Sequence, residues 1–235
     1  IKEPLYFTEV NVGGFANILK AAVDAHVKAF VYASSSSVYG DETTLPKVES
    51  KVGNCLSPYA ATKKTNELYA QVFADVYGIR LMGFRYFNIF GPRQDPNGPY
   101  AAVIPLFVKG ILNRTPVYIN GDGDQTRDFT FVDNAVQVNV KGMLTDNPEA
   151  FKQVYNVAVG EYFSVNTLYQ TCLSELNSDW QPTYREPRAG DIRNSLADVS
   201  LANRLLGYQP SKRFEDGLKE TIAYFKALYS EQVTG

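Results

Sequence analysis

Between Pro4 and Phe84 the chain passes twice from a run with helical periodicity to a short apolar strand, and this alternation leaves few architectures open. From Pro4 to Ala25 the apolar positions Val10, Phe15, Ile18, Leu19, Ala22 and Val23 recur at helical spacing, and Ala29–Ala33 then reads as a buried strand. Ser57-Pro58, a capping serine followed by proline at the first helical position, opens a second helix that runs to Tyr77. Gly78 ends it and Ile79–Phe84 supplies the next strand. Helices alternating with fully apolar strands predict a parallel sheet covered on both faces.

The texture changes after Arg85. A Pro/Gly/Asn-rich stretch from Gly91 to Pro99 leads to an apolar helix over Ala101–Leu112 and a short strand at Val117–Ile119. Further on come a helix at Asp133–Leu144, a strand at Gln153–Val157, a helix capped by Ser164 and an amphipathic helix over Phe214–Tyr229. The expected fold class is α/β, with a smaller C-terminal α/β lobe beside the sheet. With 45% hydrophobic and 20% charged residues among 235, the chain has enough apolar material for one large domain or two small ones.

Several functions are excluded by what the sequence lacks. The net charge is −2 with no basic stripe, so nucleic acid is not an expected partner. Cys55 and Cys172 lack the paired spacing of zinc or redox sites, and His26 is the only histidine, so no metal site is indicated. No apolar run approaches the roughly 20 residues of a membrane span, and a cytoplasmic location is expected. Gly121-Asp122-Gly123 superficially resembles a dinucleotide fingerprint, but it lacks the third glycine and the following helix, and it reads as a turn.

Positive chemistry begins at Tyr59 and Lys63. Their spacing of four puts both side chains on one helix face, with β-carbons about 6 Å apart. A phenol is a poor base at neutral pH, and a neighbouring ammonium favours its ionised form. Taken alone the pair is weak, since sixteen tyrosines make such a spacing common by chance. The run Ser34-Ser35-Ser36-Ser37-Val38-Tyr39-Gly40 follows the first strand, where parallel sheets place their ligands. One of these serines could donate to a substrate hydroxyl, or the run could be a polar turn whose serines cap the backbone.

Six segments in order extend the pattern: Asn11-Val12-Gly13-Gly14, Ser35-Ser36-Ser37-Val38-Tyr39-Gly40, Ser57-Pro58-Tyr59 with Lys63, Arg85-Tyr86-Phe87-Asn88, Arg127-Asp128-Phe129 and Arg188-Ala189-Gly190-Asp191. Together they resemble the extended short-chain dehydrogenase/reductases, and within them the NAD-dependent UDP-hexose 4-epimerases, over nearly the whole chain. The whole is most similar to the bacterial enzymes that interconvert UDP-GlcNAc and UDP-GalNAc. The resemblance implies an incomplete Rossmann-type sheet from residues 1–91 and 129–158, and a nucleotide-sugar lobe from 92–128 and 159–235. It implies Ser35, Tyr59 and Lys63 as catalytic residues, with Asn11 and Phe87 joining them at NAD. Ser36 is the alternative to Ser35 and a substrate contact. It further implies Asn88, Arg127 and Arg188 at the diphosphate, Asp191 at the ribose, Tyr118 and Asn120 at the uracil, and Ser195 beside the sugar, where a small residue leaves room for an N-acetyl group. For each arginine, a solvated surface residue is the alternative.

In the implied reaction, Tyr59 takes the 4-hydroxyl proton, the C4 hydride passes to NAD, and the 4-keto sugar turns over before hydride returns to its other face. Related dehydratases carry Asp-Glu after the catalytic hydroxyl residue. Ser36-Ser37 stand there in this chain, which argues against dehydration. A UDP-uronic acid epimerase or decarboxylase stays open, as does a nucleotide-sugar-binding relic without catalysis. The resemblance also implies a homodimer through the helices at Pro4–Ala25 and Ser57–Tyr77. Family members begin with a glycine-rich loop that this sequence does not contain, so the chain is expected to start inside a longer protein. On its own it is expected to bind NAD weakly and turn over little.

Overall fold

The computed structural model describes residues 4–97, 102–187 and 192–231. Its N-terminal helical segment comprises α1 (Pro4–Thr8) and α2 (Gly14–Asp24), joined by a wide π turn over Glu9–Gly13. The expected single helix over Pro4–Ala25 is therefore interrupted, at a place where the two glycines Gly13-Gly14 weaken the regular helix. The π turn lies against α3 (Pro58–Tyr77), and within it Asn11 Nδ2 donates to Thr62 Oγ1 at 3.1 Å. Helix α3 starts where Ser57 Oγ accepts from the Ala60 N–H, and it stops at Gly78, which takes φ 67°.

Strands β1 (Phe30–Ser35) and β2 (Leu81–Tyr86) pair in parallel, with Phe30 opposite Leu81 and Ser35 opposite Tyr86. After them come β3 (Ile89–Phe90), α4 (Val103–Leu112), β4 (Tyr118–Asn120), β5 (Thr126–Arg127), β6 (Thr130–Phe131) and α5 (Val132–Leu144). Strand β7 (Gln153–Val157) completes a parallel sheet in the order β1-β2-β7, with α2 and α3 on one face and α5 on the other. The remaining elements are β8 (Phe163–Ser164), α6 (Val165–Leu176), β9 (Thr183–Arg185), α7 (Ser200–Leu206) and α8 (Phe214–Glu231).

This is the expected α/β architecture. The strand expected at Val117–Ile119 is β4, shifted by one residue, while its partner β9, the pairs β3-β6 and β5-β8, and α7 were not anticipated. Each of these strands has only two or three residues, too few for a period of two to register.

Leu19, Tyr32, Ala70 and Leu81 form the core under α2 and α3, while Met82, Phe84, Val138 and Tyr155 form the opposite one. A larger aromatic core joins Phe90, Phe107, Phe129, Phe131, Phe214 and Phe225 beyond the sheet. Gly83 in the central strand is required by packing, because a β-carbon there would lie 2.4 Å from the Tyr32 ring.

Two buried carboxylates tie these layers together. Glu67 on α3 accepts both arms of Arg85 on β2, from Nε at 2.8 Å and from Nη2 at 2.9 Å, and its Oε1 also accepts from Ser34 Oγ at 2.6 Å. Burial by itself would raise the Glu67 carboxyl, but the hydrogen bonds and charge of Arg85 outweigh it and hold the group below its ordinary value. Asp128 is fully buried and accepts backbone N–H groups from Val159 at 3.0 Å, Gly160 at 3.0 Å and Ala197 at 3.4 Å. Burial pushes its carboxyl up to about 6, with those hydrogen bonds pulling the other way.

Glu67→Ala is expected to destabilise the fold by about 3–5 kcal/mol, since it leaves the Arg85 guanidinium buried without its partner. The shift in urea midpoint at unchanged slope measures it. For Asp128 the folded value lies above the unfolded one, so its contribution to stability is complete below about pH 4 and is lost as pH rises through about 6. The stability of the protein relative to Asp128→Asn should therefore fall by up to about 3 kcal/mol between about pH 4 and about pH 7.5, as read by urea titration of both at each pH.

Candidate active site

The C-terminal end of β1 carries the serine run. Ser35 is in extended conformation and caps the short 3-10 turn over Ser36–Tyr39, its Oγ accepting from the Ser37 N–H at 3.2 Å and the Ser37 hydroxyl at 3.0 Å. Both bonds use Ser35 as acceptor, which leaves its own O–H as a donor. The polar-turn reading and the donor reading are thus compatible at this residue. The side chain of Ser36 makes no hydrogen bond to a described residue.

Tyr59 and Lys63 share one face at the start of α3. Lys63 Nζ donates to the Ala33 carbonyl of β1 at 3.0 Å and stands 5.8 Å from the centre of the Tyr59 ring. Burial lowers the Lys63 ammonium below its ordinary value. Tyr59 keeps 41% of its surface exposed. Thr62 accepts from Asn11 and donates to the Tyr59 carbonyl at 2.8 Å, which brings Asn11 to the same turn of α3.

The second group lies past the end of β2. Phe87 is fully buried against Tyr39, with ring centres 6.0 Å apart, and so forms part of the supporting wall. Asn88 takes φ 37° and donates from Nδ2 to the Asp128 carbonyl at 3.2 Å. Asn88, Tyr118, Asn120 and Arg127 all line one cavity of about 270 Å³, with Gln125 and the rings of Phe90, Phe107 and Phe129. Arg127 Nη1 donates to its neighbour Thr126 O at 2.8 Å and to Arg193 O at 3.3 Å.

Gln125, Arg127 and Phe129 alternate along the chain and all face the cavity, whereas the Asp128 side chain bonds into the backbone behind it. No carboxylate is among the described lining residues. Such a wall, with one guanidinium, several amides and aromatic faces, suits a planar ring joined to an anion.

Ser195 is buried beside this stretch, its N–H donating to Thr126 O at 3.2 Å. Arg188 and Asp191 lie outside the described residues. Sequence reasoning did not single out Glu67, Gln125, Asp128 or Arg185. Asp128 lies inside a motif already noted for its arginine, and Glu67 is one helical turn beyond Lys63, but nothing in the sequence marks either as buried. Among the described residues no cluster of His, Cys, Asp and Glu could hold a metal ion, and no helix is long and apolar enough to cross a membrane.

Residues 1–158 match the model of the NAD dependent epimerase/dehydratase family. A putative UDP-glucose 4-epimerase of Methanocaldococcus jannaschii is 33% identical over 227 residues, covering 96% of this chain and 72% of that protein. The solved UDP-N-acetylglucosamine 4-epimerase of Methanobrevibacter ruminantium M1, in complex with UDP-N-acetylmuramic acid, superposes with a TM-score of 0.91 at 38% identity, over 97% of this chain and 72% of that one. The UDP-glucuronic acid 4-epimerase of Bacillus cereus, bound to UDP-glucuronic acid and NAD, gives a TM-score of 0.89 at 29% identity, over 97% and 71%. By sequence and by fold, this chain belongs to the NAD dependent epimerase/dehydratase family.

Proposed function

We propose that this chain carries the catalytic and nucleotide-sugar-binding part of a UDP-sugar 4-epimerase, with UDP-GlcNAc and UDP-GalNAc as its substrates and plain UDP-glucose and UDP-galactose within its reach. The observation that carries this reading is the Tyr59–Lys63 face, joined through Lys63 to β1, beside a cavity whose described lining holds a guanidinium and no carboxylate.

The residues fit NAD by their donor set. Lys63 spends one N–H on Ala33 and keeps two, and Asn11 stands against the same turn of α3, so ribose hydroxyls would find donors there. When bound, NAD supplies a reversible acceptor for the C4 hydride, and net redox over the cycle is zero. Tyr59 takes the proton of the 4-hydroxyl and returns it. Lys63 supports the charge on Tyr59, and the free O–H of Ser35 donates to the C4 oxygen as it becomes a ketone. Asn88 and Arg127, with Arg188, hold the diphosphate while the keto sugar turns over, so that hydride returns to the opposite face. Asp191 takes the ribose of the nucleotide.

The N-acetyl assignment follows from the resemblance, which sets Ser195 beside the sugar, where a small residue leaves room. A 4-epimerase of UDP-glucuronate is the second reading, because the Bacillus cereus neighbour binds that compound. Against it, Arg127 is the only charged residue among the described lining residues, and a diphosphate claims it.

The helices expected to dimerise present an apolar face. Leu5, Tyr6 and Ile18 on the first segment, and Leu68, Val72 and Val76 on α3, are 56–85% exposed although the two segments pack together. A second copy of the chain is the proposed occupant of this face.

Protein expressed from the whole gene, assayed with NAD and each of UDP-GlcNAc, UDP-Glc and UDP-glucuronate, is expected to turn over the N-acetyl sugar fastest. Tyr59→Phe should lower kcat by about a thousandfold or more while UDP affinity by calorimetry stays within about twofold. Loss of turnover in the parent with UDP binding intact would instead favour a binding relic. Val72→Glu should convert the dimer to monomer in sedimentation velocity, because it buries a charge at an apolar interface.

A further inference from the structure

We infer that Asn120 and Gln125 read the imide edge of the nucleotide base, and that Arg185 is the residue that positions Asn120 to do so. This rests on the uridine diphosphate reading above and adds how the base is chosen.

Several atoms along this wall can only donate or only accept. Strand β9 pairs in parallel with β4, placing Arg185 opposite Asn120. Arg185 Nε donates to Asn120 Oδ1 at 2.6 Å, and its guanidinium lies 4.9 Å from the centre of the Tyr118 ring. A guanidinium has no acceptor, so the Asn120 amide has one permitted orientation, with Oδ1 toward Arg185 and Nδ2 away from it. Nδ2 has no hydrogen bond to a described residue, and Asn120 lines the cavity.

Gln125 is fixed in the same way. Its Nε2 donates to the Asn120 backbone carbonyl at 2.8 Å, and a carbonyl can only accept. Its Oε1 is therefore the atom left over, with no partner among the described residues, on a side chain only 8% exposed that lines the same cavity.

The wall thus offers one amide donor and one amide acceptor, each with its orientation locked. Uracil presents a carbonyl acceptor next to the N3–H donor and matches both. Cytosine presents an amino donor next to an N3 acceptor, so it opposes donor with donor and acceptor with acceptor. Thymine shares the uracil edge. A site that leaves its own polar groups unpaired rejects the wrong ligand by more than the loss of one contact.

Calorimetric titration of UDP, CDP and dTDP against the protein and three variants tests this. The unaltered protein should bind UDP at least about tenfold tighter than CDP, with dTDP close to UDP. Arg185→Ala frees the Asn120 amide to turn, so UDP binding should weaken while CDP binding does not, and the UDP/CDP ratio should fall by about tenfold. Arg185→Lys should retain most of the ratio, because an ammonium also donates to Oδ1. Asn120→Asp keeps an acceptor for Arg185 and turns a second acceptor toward the base, so CDP should gain on UDP by about tenfold or more. A misfolded variant weakens both nucleotides together and cannot produce that reversal. If UDP and CDP bind the unaltered protein equally, or if Arg185→Ala and Asn120→Asp both leave the ratio unchanged, the base-reading role is overturned while the epimerase reading stands. Failure of the unaltered protein to bind UDP at all overturns both.

Discussion

The buried pair of Glu67 and Arg85 joins α3, which carries Tyr59 and Lys63, to β2 and to the end of β1, which carries Ser35. Ser34, one residue before Ser35, donates to Glu67, while Arg85 lies just ahead of the Phe87-Asn88 turn. Glu67 itself is one helical turn beyond Lys63. A slip of α3 along the sheet would therefore break a bidentate ion pair and strand two charges away from water, at a cost far above that of losing one apolar contact. The guanidinium also reaches the Glu49 carbonyl at 3.0 Å and the face of Tyr39, so the loop after the serine run is fixed by the same charge. Buried pairs of this kind add little net stability relative to a well-packed apolar alternative, and what this one supplies is register.

The supporting groups are more deeply buried than the proposed base. Glu67, Arg85 and Ser34 are almost wholly covered, whereas Tyr59 is partly exposed. This division lets the position of a partly exposed phenol be decided by atoms that solvent cannot reach. The Lys63 bond to Ala33 acts in the same direction, since it ties the helix that carries both residues to the strand that carries the serine.

How much of this was legible in the sequence depended on length and on partners. The helix of α3 was readable from Ser57-Pro58 at one end to Gly78 at the other, because caps are local chemistry. The strands of the sheet were readable because both faces are covered, which makes them continuous apolar runs. Pairs such as β4-β9 were not, since three residues show no period and Arg185 is exposed in a polar stretch. The candidate residues within motifs came from resemblance, and Asn88, Tyr118, Asn120 and Arg127 line one cavity. What resemblance could not supply was the direction of a side chain. Nothing in the sequence says that the Phe87 ring is wholly covered and packed on Tyr39.

The stretch from Gln125 to Phe129 shows why direction matters. Extended backbone sends successive side chains to opposite sides, so one stretch can face the cavity with an amide, a guanidinium and a ring while sending a carboxylate the other way. Arg127 and Asp128 are adjacent in sequence, and as free side chains they would tend to pair. Here Asp128 is instead satisfied by three backbone N–H groups from two other segments. An acid at this position facing the cavity would repel any anion bound there, and turning Asp128 inward removes that repulsion. The same carboxylate then holds the loop at Val159-Gly160 and the segment at Ala197 behind the cavity wall, so the charge turned away from the cavity helps to keep that wall in shape.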